Sequence, residues 1–210
     1  MSHAEFLTAF VTLFVVVDPI GLVPLFIALT QGMGARARRV VGLRALFIAA
    51  VLLTGFGLFG DALLAAVGIS LPAFRIAGGV LLFLTALDML FERRTQRREG
   101  QSAEPHAQDP SVFPLATPLI AGPGAMATMI LLAGSGHGAT HLAAVHLVML
   151  AVLACVFVLF LLATPLERAL GRTGTMVVTR LLGMLLAALS VQFILDGLRG
   201  AGLFGLPLGR

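Results

Sequence analysis

Apolar residues run through this chain in long blocks, with neither the two-residue alternation of a half-buried strand nor the one-sided stripe of a soluble amphipathic helix. Six blocks stand out, at about 4–30, 40–64, 70–91, 112–134, 139–164 and 174–198, and polar residues gather between them. A hydrocarbon layer about 30 Å thick is crossed by roughly 20 apolar residues wound as helix. The pattern therefore predicts an all-α polytopic membrane protein with six transmembrane helices, one integral membrane domain over residues 1–210. A soluble six-helix core would need a polar face on each block, and these are apolar nearly all round. Composition agrees: 59% of the residues are hydrophobic, 11% are charged and the mean hydropathy is +1.03, outside the balance of a soluble domain. The opening MSHAEF lacks the basic stretch of a cleavable leader, so the first block is expected to stay.

Charge adds an orientation. The net charge is +4 and all 14 basic residues are arginine. Arg36, Arg38 and Arg39 fall between blocks one and two, Arg93, Arg94, Arg97 and Arg98 between three and four, and Arg168 and Arg172 between five and six. Basic connections stay on the cytoplasmic side, which puts both termini on the outer side. That rule accounts for the arginines, so the lipid bilayer is expected as a partner and nucleic acid is not. The single cysteine, Cys155, excludes an internal disulfide. With no Trp or Tyr, any aromatic belt is built from Phe.

The polar stretch 92–111 divides the chain into a first repeat, 1–91, and a second, 112–210. The first repeat carries DPIGLVP, with Pro19 and Pro24 five apart; the second carries TPLIAGP, with Pro118 and Pro123 five apart. The third helix of each set opens alike, as RIAGG at Arg75–Gly79 and RLLGM at Arg180–Met184. Three helices per half make the second half enter the membrane in the opposite sense. The expectation is two inverted three-helix repeats with helices 1 and 4 broken, as in many transporters.

Asp18-Pro19 and Thr117-Pro118 each read as an N-cap followed by a first-turn proline, so each long segment is expected to be two half-helices. Pro24 and Pro123 disturb the ladder about one turn later. Gly21, Gly122 and Gly124 let the backbone unwind or approach a ligand. Irregular backbone at membrane depth is tolerated only inside protein or along a watered cavity, so two breaks in matching places predict one shared cavity. A half-helix N-terminus suits a carboxylate, and Asp18 suits an ammonium group, a proton or a cation. A zwitterion needs both. Ser190 and Gln192 lie deep enough in the sixth helix to line that cavity or bond across helices. Against this stand kinks made for packing alone, with Asp18 serving only as a cap.

FVVVDPIGLVPLF and FPLATPLIAGPGAM, each leading a three-helix half, resemble the MarC family of six-helix inner-membrane proteins, also called the neutral amino acid transporter family and grouped with LysE-type exporters. The resemblance covers essentially the whole chain. It implies a transporter of small neutral amino acids such as glycine and alanine in a bacterial-type inner membrane, working by alternating access and not an enzyme. The substrate inference lands on Asp18, Pro19, Gly21, Pro24, Pro118, Gly122, Pro123 and Gly124, with Thr117 where the first half has Asp18. No cofactor is implied, and coupling to H+ or Na+, the direction of transport and the oligomeric state stay open. A drug or metabolite exporter is the alternative.

Other constellations are weaker. AGSGHG at 133–138 puts Ser135 near His137, which would serve an intramembrane hydrolase. Its spacing departs from the nucleophile motif, and its three glycines fit a polar turn. His137 and His141 share a helical spacing without an accompanying acid or thiol, a poor metal site. Arg44, Arg75 and Arg180 are expected to snorkel to headgroups, Arg75 with Asp61 in reach. A scaffold with its breaks packed shut is a further reading.

Overall fold

The structure, a computed structural model, describes residues 3–91, 109–136 and 138–202, and within these every side chain but that of Arg172. The polar stretch at 92–111, with Arg93, Arg94, Arg97 and Arg98, therefore lies almost wholly outside the described residues, as does His137. The described residues form helices and connections with no strand: α1 (His3–Val17), α2 (Pro19–Leu29), α3 (Ala35–Ala66), α4 (Leu71–Leu90), α5 (Ser111–Ile120), α6 (Pro123–Ala133), α7 (Ala139–Leu161) and α8 (Ala163–Gly200). Five helical stretches are long and apolar enough to cross a membrane: α1 with α2, α3, α4, α7, and α8 from Thr173 onward. The pair α5 and α6, bent by 55°, makes up to six. These follow the six apolar blocks closely.

Local chemistry explains several boundaries. Ser70 caps α4, its Oγ accepting the Ala73 N–H at 3.3 Å, and Pro72 sits in the first turn. At 32 residues, α3 is about 48 Å long at 1.5 Å per residue. That exceeds the hydrocarbon thickness, so its first turns, with Arg36, Arg38 and Arg39, extend beyond the apolar layer. The last helix departs from expectation. Instead of starting near 174, α8 starts at Ala163 and carries Arg168 on helix, and the chain turns at Gly171, whose φ of 60° and ψ of −175° suit only glycine.

Burial is uneven, and the unevenness has a physical logic. In the span His3–Leu29 61% of the most apolar window is buried, against 22% in Thr173–Gly200. The interrupted spans thus run through the middle and the unbroken helices surround them, which keeps irregular backbone away from lipid. Val15, Val16, Val17, Leu22, Leu115 and Ile120 are all buried there. The outside shows large apolar side chains such as Phe47, Phe59, Leu84 and Leu147, the surface that acyl chains solvate.

Glycines set the closest helix pair, α4 against α8, which run antiparallel. A Cβ at Gly79 would come 2.8 Å from the Ser190 carbonyl, one at Gly183 2.9 Å from the Met89 Cβ, and one at Gly197 2.9 Å from the Pro72 carbonyl. Small residues are how membrane helices gain dispersion contact where no hydrophobic drive exists between them. Several of the remaining contacts pair off between the halves: α3 packs on α5 and α6 as α7 does on α1 and α2, and α4 packs on α6 as α8 does on α2, whereas α1 also packs on α6 and α8 with no counterpart of similar extent from α5.

Candidate functional site

At the end of α1 the Asp18 N–H still donates to the Phe14 carbonyl at 2.9 Å, and then the backbone flips into the left-handed region, φ 56° and ψ 64°. Asp is one of the few residues that tolerates this region. The flip lets Asp18 cap the helix that follows it: its Oδ1 accepts the Gly21 N–H at 3.1 Å and Pro19 opens α2. The carboxyl-bearing residue is 1% exposed. Gly21 has no room for a side chain, because a Cβ there would run into the Asp18 carboxylate. One turn on, Pro24 removes an N–H inside α2, leaving the Ile20 carbonyl without its helical partner.

The second break is built differently from the one expected. Thr117-Pro118 does not start a helix. Thr117 is extended, φ −127° and ψ 127°, and its hydroxyl donates back to the Val112 carbonyl at 3.2 Å. Within α5 the hydrogen bonds reach five residues back, from Leu115 to Pro110 and from Ala121 to Ala116, and Phe113 is extended as well. The new helix starts five residues later, with Gly122 as its cap position and Pro123 in its first turn. Gly122 lies so close to α5 that a Cβ would sit 2.5 Å from the Pro118 carbonyl. No side chain caps α6. The two starts thus differ in charge: a carboxylate closes the first N-terminus, and the second keeps its amide dipoles unanswered by a side chain.

The breaks meet. A Cβ on Gly124 would stand 3.3 Å from Val16 Cγ1, two residues before Asp18, and also near Leu82 and the Thr85 hydroxyl on α4. Thr85 donates to the Leu81 carbonyl at 2.9 Å, and the fully buried Thr128 donates to the Gly124 carbonyl at 2.8 Å. Neither threonine was singled out from the sequence. Their signal was a hydroxyl inside an otherwise apolar run, which a reading led by proline and charge passes over.

Other expected residues lie elsewhere. Ser190 is fully buried but in the α4–α8 seam, where it donates to the Ala187 carbonyl at 2.7 Å and its own carbonyl faces Gly79. Gln192 is on the exposed side of α8, with its amide donating to Asp196 Oδ1 at 2.9 Å. Ser135 lies exposed in the turn after α6 and donates to the Leu132 carbonyl at 2.8 Å; His141 Nε2 approaches the same carbonyl at 2.9 Å. A carbonyl only accepts, so His141 carries its proton on Nε2 and offers no base to Ser135 there. Among the described residues no base reaches Ser135, and His137 lies outside them. Arg75 and Asp61 form no ion pair among the described residues. Arg44, expected to snorkel, instead pairs with Asp109, Nη1 to Oδ2 at 2.6 Å. Asp109 also accepts from the Ser111 hydroxyl at 2.7 Å and the Ser111 N–H at 3.0 Å. These bonds, the hydroxyl first, and the nearby guanidinium hold its carboxyl below the usual value of 3.8. Among the described residues no group of three acids, histidines or cysteines converges on a metal site.

Residues 3–202 match the family described as "MarC family integral membrane protein". The chain is 38% identical to a UPF0056 membrane protein of Methanocaldococcus jannaschii, covering 96% of this chain and 99% of that one. It is 36% identical to the UPF0056 membrane protein YhcE of Escherichia coli K12, over 91% and 90% of the two chains. It is 33% identical to the UPF0056 inner membrane protein YhgN of the same organism, over 93% and 96%. No solved structure matches.

Proposed function

We infer that this chain, which belongs to the MarC family of integral membrane proteins, is a transporter that carries a small zwitterion of the glycine and alanine class by alternating access between two inverted three-helix halves. The observation that carries this reading is a carboxylate residue 1% exposed at a helix break, packed beside a second helix start that has no side-chain cap. A charge at membrane depth is costly, about 2.5 to 3.5 kcal/mol on insertion scales, and is retained where it works. The reciprocal packing of each half's second and third helices on the other half's interrupted span supports an internal two-fold relation. So do the equal lengths of α2 and α6, 11 residues each. The register that lays Pro19 on Pro123 also lays Ala35 on Ala139, the first residues of α3 and α7.

The two breaks divide the labour. The α2 N-terminus is answered by Asp18, so a substrate carboxylate belongs at the α6 start, where the N–H groups of Gly124 and Ala125 precede the first helical bond of Met126 to Gly122. The ammonium group belongs at Asp18. Val16, Leu82 and Thr85 stand close around Gly124, so this reading favours a substrate whose side chain is a hydrogen or a methyl over a bulky one. Pro24 and the glycines beside the breaks supply the flexible points for gating.

The test is counterflow of labelled alanine in proteoliposomes. Wild type exchanges it, glycine competes, and Asp18→Asn and Gly122→Leu each lose at least about tenfold in rate. Competition by bulky amphipaths without competition by glycine would favour the exporter of drugs or metabolites. Equal exchange by all three proteins removes the site.

A further inference from the structure

Where α2 gives way to α3, the arginine-bearing end of the molecule has a pocket of about 170 Å³, bounded by Phe26 of α2, Arg38 and Arg39 of α3, Phe160 of α7 and Thr164 of α8. Arg38 and Arg39 lie in the first turns of α3, beyond the apolar layer, and Phe160 lies in the last turn of the span Ala139–Leu161. The pocket is therefore at the depth where lipid headgroups begin. The buried rings of Phe26 and Phe160 stack at 4.1 Å and 4° and give it an apolar wall. Arg38 is held over Phe26, its Cζ 5.5 Å from the ring centroid. Such a cation–π contact positions the cation but supplies no oxygen acceptor. Among the described residues neither Arg38 nor Arg39 makes a hydrogen bond or an ion pair, and the exposed Glu167, within a turn of Thr164, pairs with neither.

The rule that keeps basic connections on the cytoplasmic side explains the sign of this segment, but it treats Arg36, Arg38 and Arg39 alike. Arg36 does not line the pocket; the other two do. Two forked cations around one concavity, next to an apolar wall, form a receptor for a planar or tetrahedral oxyanion.

We propose that this pocket binds a phosphate group, carried by an anionic phospholipid headgroup, between the Arg38 and Arg39 guanidiniums. Basic pockets between membrane helices on the cytoplasmic side suit such headgroups. Against about 30 Å³ for each water of the liquid, the volume accommodates a phosphate group and a few waters, and the Thr164 hydroxyl is a further donor on its rim. Inorganic phosphate offers the same oxygens. The lipid is favoured as their source because Leu161, which also lines the pocket, is exposed, as are Val40 and Leu43 on the next turn of α3. Those side chains give acyl chains a surface beside the headgroup. The register that lays Pro19 on Pro123 lays Arg38 on Leu142 and Arg39 on Ala143, so the second half has no equivalent pair of cations. A phosphate held here would tie the start of α3, in the first half, to the corner between α7 and α8, in the second. The proposal stands apart from the transporter reading, since it requires only these helices and a bilayer.

The test is native mass spectrometry of the full chain in detergent, titrated with phosphatidylglycerol or phosphatidylcholine, with melting midpoints taken on the same preparations with and without inorganic phosphate. Wild type is expected to bind phosphatidylglycerol at least about tenfold more tightly than phosphatidylcholine, a preference that Arg38→Gln and Arg39→Gln each lose and that Arg36→Gln keeps within about twofold. If Arg38→Gln, which also gives up the contact with Phe26, does not fold, the exposed Arg39→Gln decides. A rise in midpoint with inorganic phosphate that both pocket variants lose, without a lipid preference, supports the phosphate site and overturns the lipid as its source. Neither a lipid preference nor a phosphate effect in wild type, or an equal loss in Arg36→Gln, overturns the proposal.

Discussion

Asp18 turns its carboxyl onto the Gly21 N–H at 3.1 Å, so on the proposed reading a single residue serves both as helix cap and as partner of the substrate's ammonium group, and substitutions separate the two roles. Asn caps about as well as Asp but is neutral. Asp18→Asn should therefore leave the thermal midpoint in detergent nearly unchanged, within about 0.5 kcal/mol of wild type, while alanine exchange is lost. Gly21→Ala damages both: the new Cβ occupies the place of the carboxylate, the cap is broken at a cost of about 1 kcal/mol, and the displaced carboxylate can no longer meet an ammonium group. Both effects are read from melting curves and counterflow on the same preparations. A second residue-scale prediction concerns Asp109, outside the spans. Its carboxyl is held below 3.8 when folded, by the Ser111 bonds first and Arg44 after. The stabilisation this represents is fully present above the unfolded value and is lost as pH falls through the lower folded one. Wild type should melt above Asp109→Asn at pH 7, and the gap should close on acidification below about 4.

At the scale of elements, the apolar blocks were legible because the membrane imposes a length on each of them. The described helices begin or end within a few residues of five of the six. The first break was legible too, since Asp before Pro at a charge-free depth has few other uses. The second was read too early: the backbone leaves helix at Thr117, but α6 starts only at Pro123, and Thr117-Pro118 and Gly122-Pro123 both offer a first-turn proline after residues that rank alike as caps. What decides is close packing, for only glycine can stand 2.5 Å from the Pro118 carbonyl at the place of a Cβ, and cap propensity takes no account of that carbonyl four residues back. The α8 start was missed because Arg168 reads as a connection, whereas helix simply continues outside the hydrocarbon until Gly171 turns it. Glycine positions within helices make a paired prediction. Gly79→Leu forces a side chain onto the Ser190 carbonyl and Ile194 and should destabilise by about 1 to 3 kcal/mol or more. Gly55→Ala, with nothing within 4 Å, should be neutral or stabilising by about 0.5 to 1 kcal/mol. Denaturant or thermal unfolding in one detergent checks both, and equal losses would mean that α4 and α8 do not approach as closely as their glycines allow.

For the whole molecule, the interrupted spans in the middle and the unbroken helices around them follow from one constraint: backbone groups without helical partners cannot face lipid. The inverted internal repeat we propose would satisfy that constraint twice with one design, since α3 and α4 pack on α6 while α7 and α8 pack on α2. Inversion has a consequence that packing alone does not. Gln31, in the turn between α2 and α3, and Ser135, in the turn between α6 and α7, occupy matching places in the two halves, and both are exposed. If the halves are inverted, these turns lie on opposite faces of the membrane, with Gln31 on the arginine-bearing side next to Arg36. In a Cys155→Ser background, Ser135→Cys in intact cells should react with an impermeant maleimide, and Gln31→Cys should react only after permeabilisation. Reaction of both from one side would require that one span fails to cross, which would undo the inverted halves and with them the reason for two breaks to share a centre.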